Sequence, residues 1–286
     1  MRVLTILRHQ TVFLDKALSV AHISPEGDLV FGTAEELDSA WDLGIFYLKI
    51  PNNLDIESAR NFGRSLCALS SPFRQIPKYG ELEGFISLEN NQQTKLALRR
   101  FHWDKHYPEE IAEFGRQLDK IGIAIILEVL RLSGISESLW TRASGGYSSG
   151  EGTAFLNFVY YDTRNSHQGL RPHTDYGLVT LLDATTRGLQ IKVNGEFVEV
   201  PVRPDHLAVH FGQALNFITR HSNRPVAAIE HRVIGQKSTD PIRHSIVYFA
   251  NPDLDGMLWQ FDADGGVKGS SSVQDLFRRL EKNLTD

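Results

Sequence analysis

Residues 173–184 read HTDYGLVTLLDA, in which a histidine and an aspartate two positions apart precede an apolar, strand-like run. In an extended strand, side chains at positions i and i+2 point to the same face, so His173 and Asp175 can converge on one metal ion. The pattern alone is weak, because His102-Trp103-Asp104 repeats it with no strand series directly after it. We expect a surface or substrate-facing role for that second copy.

Short strand patterns surround this segment in the second half of the chain. They lie at 155–161, 177–184, 189–193, 197–202, 206–211, 214–219, 227–234 and 243–250. Asn194-Gly195, between two of them, is a strong hairpin signal. About eight short strands at this spacing predict a closed or double-sheet antiparallel architecture such as a jelly roll. An amphipathic helix is predicted at 272–284.

Helical periodicity dominates the first half of the chain up to about residue 140. Thr33 is a predicted N-cap, with Glu36 three residues later as in a capping box. The clearest helix runs over 108–134, with Pro108 at its first position and Gly134 just past its end. A short strand is predicted at 44–50.

Together these patterns predict an α+β fold with a mainly β core. Residues 151–286 are expected to form a double-stranded β-helix, or jelly roll, with a C-terminal helix. Residues 1–150 are expected to form a mostly helical region that packs on the barrel within one structural unit.

Composition excludes several classes of protein. The 286 residues carry 30 Lys and Arg against 35 Asp and Glu, a net charge of −5, which leaves no basic footprint for nucleic acid. The one cysteine, Cys67, cannot form an intrachain disulfide. Charges at Arg2, Arg8 and Asp15 argue against a signal peptide, and the longest apolar run is far below the ~20 residues of a membrane helix. We expect a cytoplasmic protein with a small-molecule substrate and no nucleic-acid or membrane partner.

The later part of the chain supplies further candidate ligands. His231 lies in the predicted strand 227–234, and two histidines with one carboxylate inside a jelly roll form the facial triad that binds non-haem Fe(II). Arg243 and Ser245 begin the last predicted strand. A dicarboxylic co-substrate needs a bidentate cation deep in the barrel, and the planar fork of arginine supplies it.

The chain resembles the isopenicillin N synthase-like group of Fe(II)/2-oxoglutarate-dependent dioxygenases. The HTD, GLQ, HRV and RxS motifs of this group are matched in the chain by residues 173–175, 188–190, 231–233 and 243–245. The resemblance implies Fe(II) held by His173, Asp175 and His231, with 2-oxoglutarate and O2 as co-substrates. It further implies that Arg243 pairs with the distal carboxylate of 2-oxoglutarate, that Ser245 donates a hydrogen bond to it, and that Tyr161 contacts the same co-substrate.

Three departures from the family pattern concern the site. Asp162 follows Tyr161 where the family usually has proline, and Val159 stands where asparagine is common. The family's Asn-x-Gly-Asp motif is replaced by residues 210–213, so His210 becomes a rival ligand or a neighbour of the ligands. We expect His210 to be an inward-facing, hydrogen-bonded histidine.

The resemblance implies oxidation, by default hydroxylation, of a small molecule, and we expect a role in secondary metabolism such as antibiotic biosynthesis. One alternative is an isopenicillin N synthase-type or aminocyclopropane carboxylate oxidase-type enzyme that does not use 2-oxoglutarate, in which Arg243 grips the substrate carboxylate. A second alternative is a non-catalytic jelly-roll binding domain. Turnover without 2-oxoglutarate favours the first alternative, and failure to bind Fe(II) favours the second.

Overall fold

Two facing sheets of unequal size carry the fold. The structure, a computed structural model, describes residues 18–68, 70–87, 92–163, 169–237, 239–240, 242–262 and 264–278. The strands are β1 (Val20–Ile23), β2 (Leu29–Phe31), β3 (Ile45–Lys49), β4 (Gly84–Ser87), β5 (Gln93–Arg99), β6 (Thr153–Tyr161), β7 (Leu170–His173), β8 (Val179–Ala184), β9 (Leu189–Val193), β10 (Glu196–Glu199), β11 (His206–Phe211), β12 (His231–Val233), β13 (His244–Asn251), β14 (Met257–Phe261) and β15 (Val267–Ser272).

Helices precede and interrupt these strands. They are α1 (Ala34–Leu43), α2 (Ile56–Ser65), α3 (Trp103–His106), α4 (Glu109–Leu132), α5 (Trp140–Ala143) and α6 (Gln213–Thr219). Short 3₁₀ segments lie at Pro72–Gln75, Arg100–His102, Glu137–Leu139 and Tyr147–Ser149. Residues 273–278 are helical, whereas the rest of the helix predicted at 272–284 lies outside the described residues.

The strand order confirms the predicted jelly roll. The larger sheet has the order β2-β1-β3-β11-β8-β13-β6-β5-β4, and the smaller has the order β10-β9-β12-β7. From β6 to β13 the chain passes repeatedly from one sheet to the other, which is the connectivity of a double-stranded β-helix. Strands β14 and β15 form a separate antiparallel pair.

The larger sheet is buried on both faces. Leu181 of β8 belongs to the outer apolar cluster, together with Ile125 and Val129 of α4. The next residue, Leu182, belongs to the inner cluster between the sheets, together with Ile191 of β9. This alternation follows from the two-residue period of a strand. Helix α4 therefore covers the outer face and leaves the inner face to line the barrel.

The predicted hairpin and the helix-end roles of Thr33 and Gly134 are confirmed by local geometry. The Thr33 side chain accepts a hydrogen bond from the Glu36 amide at 3.2 Å, and Gly134 has a φ of 78°. Pro108 is the N-cap of α4 rather than its first helical residue. Asn194 and Gly195 both have positive φ, 52° and 85°, as the two central residues of a type I′ hairpin require.

Other sequence predictions were wrong in type or extent. The run 214–219 is helical, as part of α6, because a short apolar run has no period that separates a buried helix from a strand. The strand predicted at 227–234 shrinks to β12. Strands β1 to β5, of which only β3 was predicted, give the first half more β-structure than expected and extend the larger sheet. The division of the chain at residue 150 stays a prediction.

The N-terminal charges at Arg2, Arg8 and Asp15 lie outside the described residues. Within the described ranges, no helix is both long enough and apolar enough to cross a membrane.

Candidate active site

The two sheets enclose a cavity of about 200 Å³ that holds the predicted site residues. His173 ends β7 and is paired directly with His231, the first residue of β12. Directly paired residues of antiparallel strands point to the same face, and the two imidazole rings lie 4.3 Å apart between centroids. One ligand atom from each of His173, Asp175 and His231 lies within 4.8 Å of the others.

Backbone hydrogen bonds fix the orientation of both histidines. His173 Nδ1 lies 2.9 Å from the Arg171 carbonyl, and His231 Nδ1 lies 3.2 Å from the Ile229 carbonyl. Because a carbonyl oxygen can only accept, each Nδ1 carries the proton and each Nε2 keeps its lone pair. These Nε2 atoms lie 3.7 Å and 3.8 Å from Asp175 Oδ1, too far for hydrogen bonds.

The position of Asp175 depends on a loop and on hydrogen bonds that the sequence analysis did not predict. Strand β7 ends at His173, so Asp175 lies in the following loop and not two places along the same strand. Thr180 of β8 donates a hydrogen bond to its Oδ2 at 2.5 Å, and its backbone carbonyl accepts one from the Gln213 amide at 2.8 Å. These contacts leave Oδ1 directed toward the two histidines.

The charge states of the three residues suit metal binding. Burial lowers the pKa of both His173 and His231, which favours neutral imidazole. Burial raises the pKa of the Asp175 carboxyl, but attraction to the protonated forms of His231, His210 and His173 outweighs it, so the pKa lies well below its usual range. Two neutral imidazole nitrogens and one carboxylate oxygen beside a cavity fit Fe(II). That these three residues bind iron stays a prediction.

His210 differs from its expected state. It is 1% exposed, and neither of its ring nitrogens has a hydrogen-bond partner. Its Nδ1 lies 3.7 Å from Asp175 Oδ2, beyond hydrogen-bond distance, and its ring lies 4.7 Å from that of His231. The expectation of a hydrogen-bonded histidine was therefore wrong, although the side chain does face inward and lines the cavity.

Arg243, Ser245 and Tyr161 lie together in the same cavity. Arg243 is 1% exposed, and its Nη1 donates to the carbonyls of Thr186 and Arg187. Its Nε and Nη2 are buried without partners, as is Ser245 Oγ. Buried donors without partners are costly unless a ligand satisfies them, so these three atoms fit one carboxylate. The guanidinium carbon lies 5.6 Å from the centre of the Tyr161 ring.

The second His-x-Asp copy has another arrangement. His102 Nδ1 lies 2.6 Å from Glu83 Oε1, and Arg116 donates to Asp104 at 2.7 Å. The two side chains thus have separate partners. No metal-ligand cluster includes them within the part of the chain that the structure describes.

Several cavity residues were not predicted as site residues, among them Thr180, Gln93 and Lys95. Thr180, which orients Asp175, lies two residues before Leu182 in β8 and so faces inward as well. Gln93 and Lys95 line the cavity from β5, and Gln93 donates to Tyr161 at 3.3 Å. The available signal was that Gln93, Lys95 and Arg99 lie at alternate positions of QTKLALR (93–99), but nothing in this pattern shows that the strand joins the barrel.

Comparisons with known proteins agree with the family resemblance found in the sequence. Residues 152–252 match the family model of the 2OG-Fe(II) oxygenase superfamily. Among curated proteins, the 1-aminocyclopropane-1-carboxylate oxidase of Prunus mume is 30% identical over 159 residues, which are 54% of this chain and 48% of that protein. The chain thus spans about half the length of the curated relatives that it matches.

Solved structures of the same fold cover nearly the whole chain. A full-length Neurospora crassa protein, solved in complex with alpha-KG and thymine, has a TM-score of 0.70 at 19% identity, covering 93% of this chain and 97% of that one. The dioxygenase for auxin oxidation in rice has a TM-score of 0.69 at 17% identity, covering 94% and 96%. At these identities the likeness shows the fold.

Residues 152–252 are thus similar to the 2OG-Fe(II) oxygenase superfamily, which supports the predicted resemblance to the isopenicillin N synthase-like group. This similarity supports the expected cofactor set of Fe(II), 2-oxoglutarate and O2.

Proposed function

We propose that this chain is an Fe(II)/2-oxoglutarate-dependent oxygenase that hydroxylates a small molecule, with secondary metabolism as its setting. The observation that carries the proposal is the pairing of two complementary sites in one cavity. His173, Asp175 and His231 offer three converging ligand atoms, and Arg243 with Ser245 offers buried donors without partners. A metal and an anionic co-substrate would complete both sites.

Some of the cavity residues would bind the metal and the co-substrate, and others orient those binding groups. The two histidines, neutral and fixed through Nδ1, present Nε2 to the metal, and Thr180 keeps Asp175 Oδ1 on the same side. Arg243 and Ser245 bind the distal carboxylate of the 2-oxo acid, with Tyr161 beside them. When bound, Fe(II) and 2-oxoglutarate supply the oxidation, in which O2 gives one oxygen atom to succinate and one to the product while CO2 is released.

The apolar part of the cavity wall favours a dry environment for the reacting atoms. Side chains of both sheets form it, including Val159, Leu182, Leu189 and Val247. A dry, shaped cavity limits oxidation of anything except the bound substrate.

A second candidate is an oxidase that does not use 2-oxoglutarate. It is favoured by the sequence relatives, which are 1-aminocyclopropane-1-carboxylate oxidases. In that case Arg243 and Ser245 would bind the carboxylate of the substrate itself, and the buried donors would still be satisfied.

Anaerobic titration separates these functions. Adding Fe(II) and then 2-oxoglutarate to the purified chain should produce the weak visible charge-transfer band of a 2-oxo acid chelated to ferrous iron. In air, the complex should convert 2-oxoglutarate to succinate. Absence of the band, with O2 consumption independent of 2-oxoglutarate, would establish the oxidase, and failure to bind Fe(II) would contradict both.

A further inference from the structure

A lysine lies in the wall of the active-site cavity. Lys95 of β5 is paired with Val159 of β6, and Val159 is paired with Ser245 of β13. Side chains at paired positions share a face of the sheet, so Lys95 lies in the same row as Ser245 and lines the same cavity. Across these three paired positions, the Ser245 hydroxyl is a neutral donor in β13, and the Lys95 ammonium is a cation two strands away in β5.

Lys95 has no anionic partner within the described ranges. No hydrogen bond or ion pair there involves its ammonium. Burial lowers its pKa because desolvation disfavours the charged form. A half-buried cation with this environment is stabilised when an anion binds beside it.

Asn157 adds a second polar group next to Lys95. It lies in β6 two residues before Val159, on the same face of the sheet, and is 7% exposed. Its Oδ1 is buried without a hydrogen-bond partner. A carboxamide offers both donors and an acceptor, so this group can turn its amide toward an anion. Val159, Val247 and Phe249 supply an apolar wall on one side of the pair, and Gln93 lies two residues before Lys95 on the same face.

This patch is separate from the proposed co-substrate site. Ser245 and Lys95 are two strands apart, which corresponds to about 10 Å between their backbones. Arg243 and Ser245 already provide the partnerless donors for one carboxylate. Lys95 and Asn157 are therefore available for a second anion in the same cavity.

We propose that Lys95 and Asn157 bind the carboxylate of the primary substrate, which would be a small monocarboxylic acid with an apolar body. This inference rests on the proposed function, since it assigns the substrate class of the same cavity. Lys95 determines specificity by its charge, and Asn157 supplies a neutral hydrogen bond.

The test measures binding and does not require turnover. The probes are aliphatic and aromatic monocarboxylates of two to twelve carbons, each matched with its uncharged primary amide. Their affinities for the anaerobic complex with Fe(II) and 2-oxoglutarate are measured by equilibrium dialysis. In the unaltered chain at least one acid should bind about 10- to 150-fold more tightly than its amide, the range for one charge-assisted hydrogen bond.

Three variants locate the effect. Lys95→Met keeps most of the aliphatic stem and should abolish the preference for acid over amide while leaving 2-oxoglutarate affinity within about twofold. Asn157→Ala should reduce the preference less, because a neutral contact is weaker. Lys49→Met makes the same change at an exposed position of β3 and should alter neither affinity.

The outcomes distinguish this inference from the proposed function. Weaker 2-oxoglutarate binding in Lys95→Met would place Lys95 in the co-substrate site and overturn the inference. The absence of any acid preference in the unaltered chain would also overturn it. Loss of the charge-transfer band in the unaltered chain would contradict the proposed function, and dialysis without iron would then still test Lys95.

Discussion

His210 Nδ1 lies 3.7 Å from Asp175 Oδ2, whereas the Nε2 atoms of His173 and His231 approach the other oxygen, Oδ1. The carboxylate thus has one oxygen facing the predicted ligands and one held by Thr180 beside His210. This asymmetry favours Oδ1 as the ligand oxygen. His210 therefore lies next to the predicted ligands, but its ring nitrogens are not part of the group that converges on one point.

The first prediction follows from that asymmetry. His231→Ala should lower Fe(II) affinity by more than about 100-fold, whereas His210→Ala should lower it by no more than the roughly 10- to 100-fold typical of groups that only support a ligand. Iron content after anaerobic dialysis measures both, and circular dichroism verifies the fold. His22→Ala, at an exposed position of β1, is the matched control.

The reverse pattern would identify a different site. If His210→Ala loses iron and His231→Ala retains it, His210 is the third ligand, and the hydrogen bond from His231 Nδ1 to Ile229 has only a structural role.

The second prediction concerns Arg243. Lysine lacks the planar fork of arginine, so Arg243→Lys should lose one charge-assisted hydrogen bond to the co-substrate, about 1.5–3 kcal/mol. This corresponds to about 10- to 150-fold weaker binding of 2-oxoglutarate. Ser245→Ala should act in the same direction by a smaller factor. Anaerobic titration of the charge-transfer band gives the affinities, and iron content should not change.

A different result for Arg243→Lys would favour the oxidase. In that case the KM for the primary substrate would rise, and 2-oxoglutarate would have no effect on turnover.

The sequence was sufficient to predict residues whose positions follow from strand alternation and family motifs. His173 and His231 are brought together by the pairing of β7 with β12, and Ser245 faces inward from β13, with Arg243 directly before that strand. Asp175 was predicted correctly as a neighbour of His173 but for the wrong reason. Its position depends on Thr180 and on a loop, and no two-residue period encodes that contact.

Residues that depend on long-range strand pairing could not be predicted. Lys95 faces the cavity only because β5 is added to β6, and a single sequence does not reveal which strands become neighbours. The lack of partners around His210 likewise depends on side chains from other strands. In α6, the run ALNFIT fits a helix and a strand equally well, so only tertiary packing decides its conformation.

The third prediction uses the one cysteine, Cys67. Burial is the main cause that raises its thiol pKa to about 11, with Asp162 adding to the effect and Arg74 opposing it. The ordinary value is 9.0, so at pH 8 the reactive thiolate is reduced about 100-fold. Iodoacetamide should therefore label the folded chain about 100-fold more slowly than the urea-unfolded chain, as followed by mass spectrometry.

The sign of the pH dependence provides a check on this cause. A raised pKa means that the labelling rate of the folded chain should keep rising about tenfold per pH unit up to about pH 11, whereas that of the unfolded chain should level off near pH 9. Equal rates in the two states at pH 8 would contradict burial of the thiol.

The last prediction concerns a buried ion pair on the outer face of the larger sheet. Arg60 of α2 donates from Nε and Nη2 to the two carboxylate oxygens of Asp183 in β8, at 3.0 Å and 2.6 Å. The Asp183 side chain is 2% exposed and that of Arg60 is 10% exposed. Removing one partner leaves an uncompensated charge in an apolar layer. Arg60→Met should therefore reduce the free energy of unfolding by about 3–5 kcal/mol, measured by urea denaturation.

The double variant Arg60→Met/Asp183→Leu tests the cause of that loss. Replacing both partners by apolar side chains removes the unpaired charge, so the double variant should be markedly more stable than Arg60→Met alone. If the two variants are equally destabilised, the loss comes from packing of the arginine stem or from its bond to the Pro204 carbonyl at 2.7 Å, and the ion pair is not the cause. Arg278→Met, which breaks an exposed pair with Asp275, should cost at most about 1 kcal/mol and is the matched control.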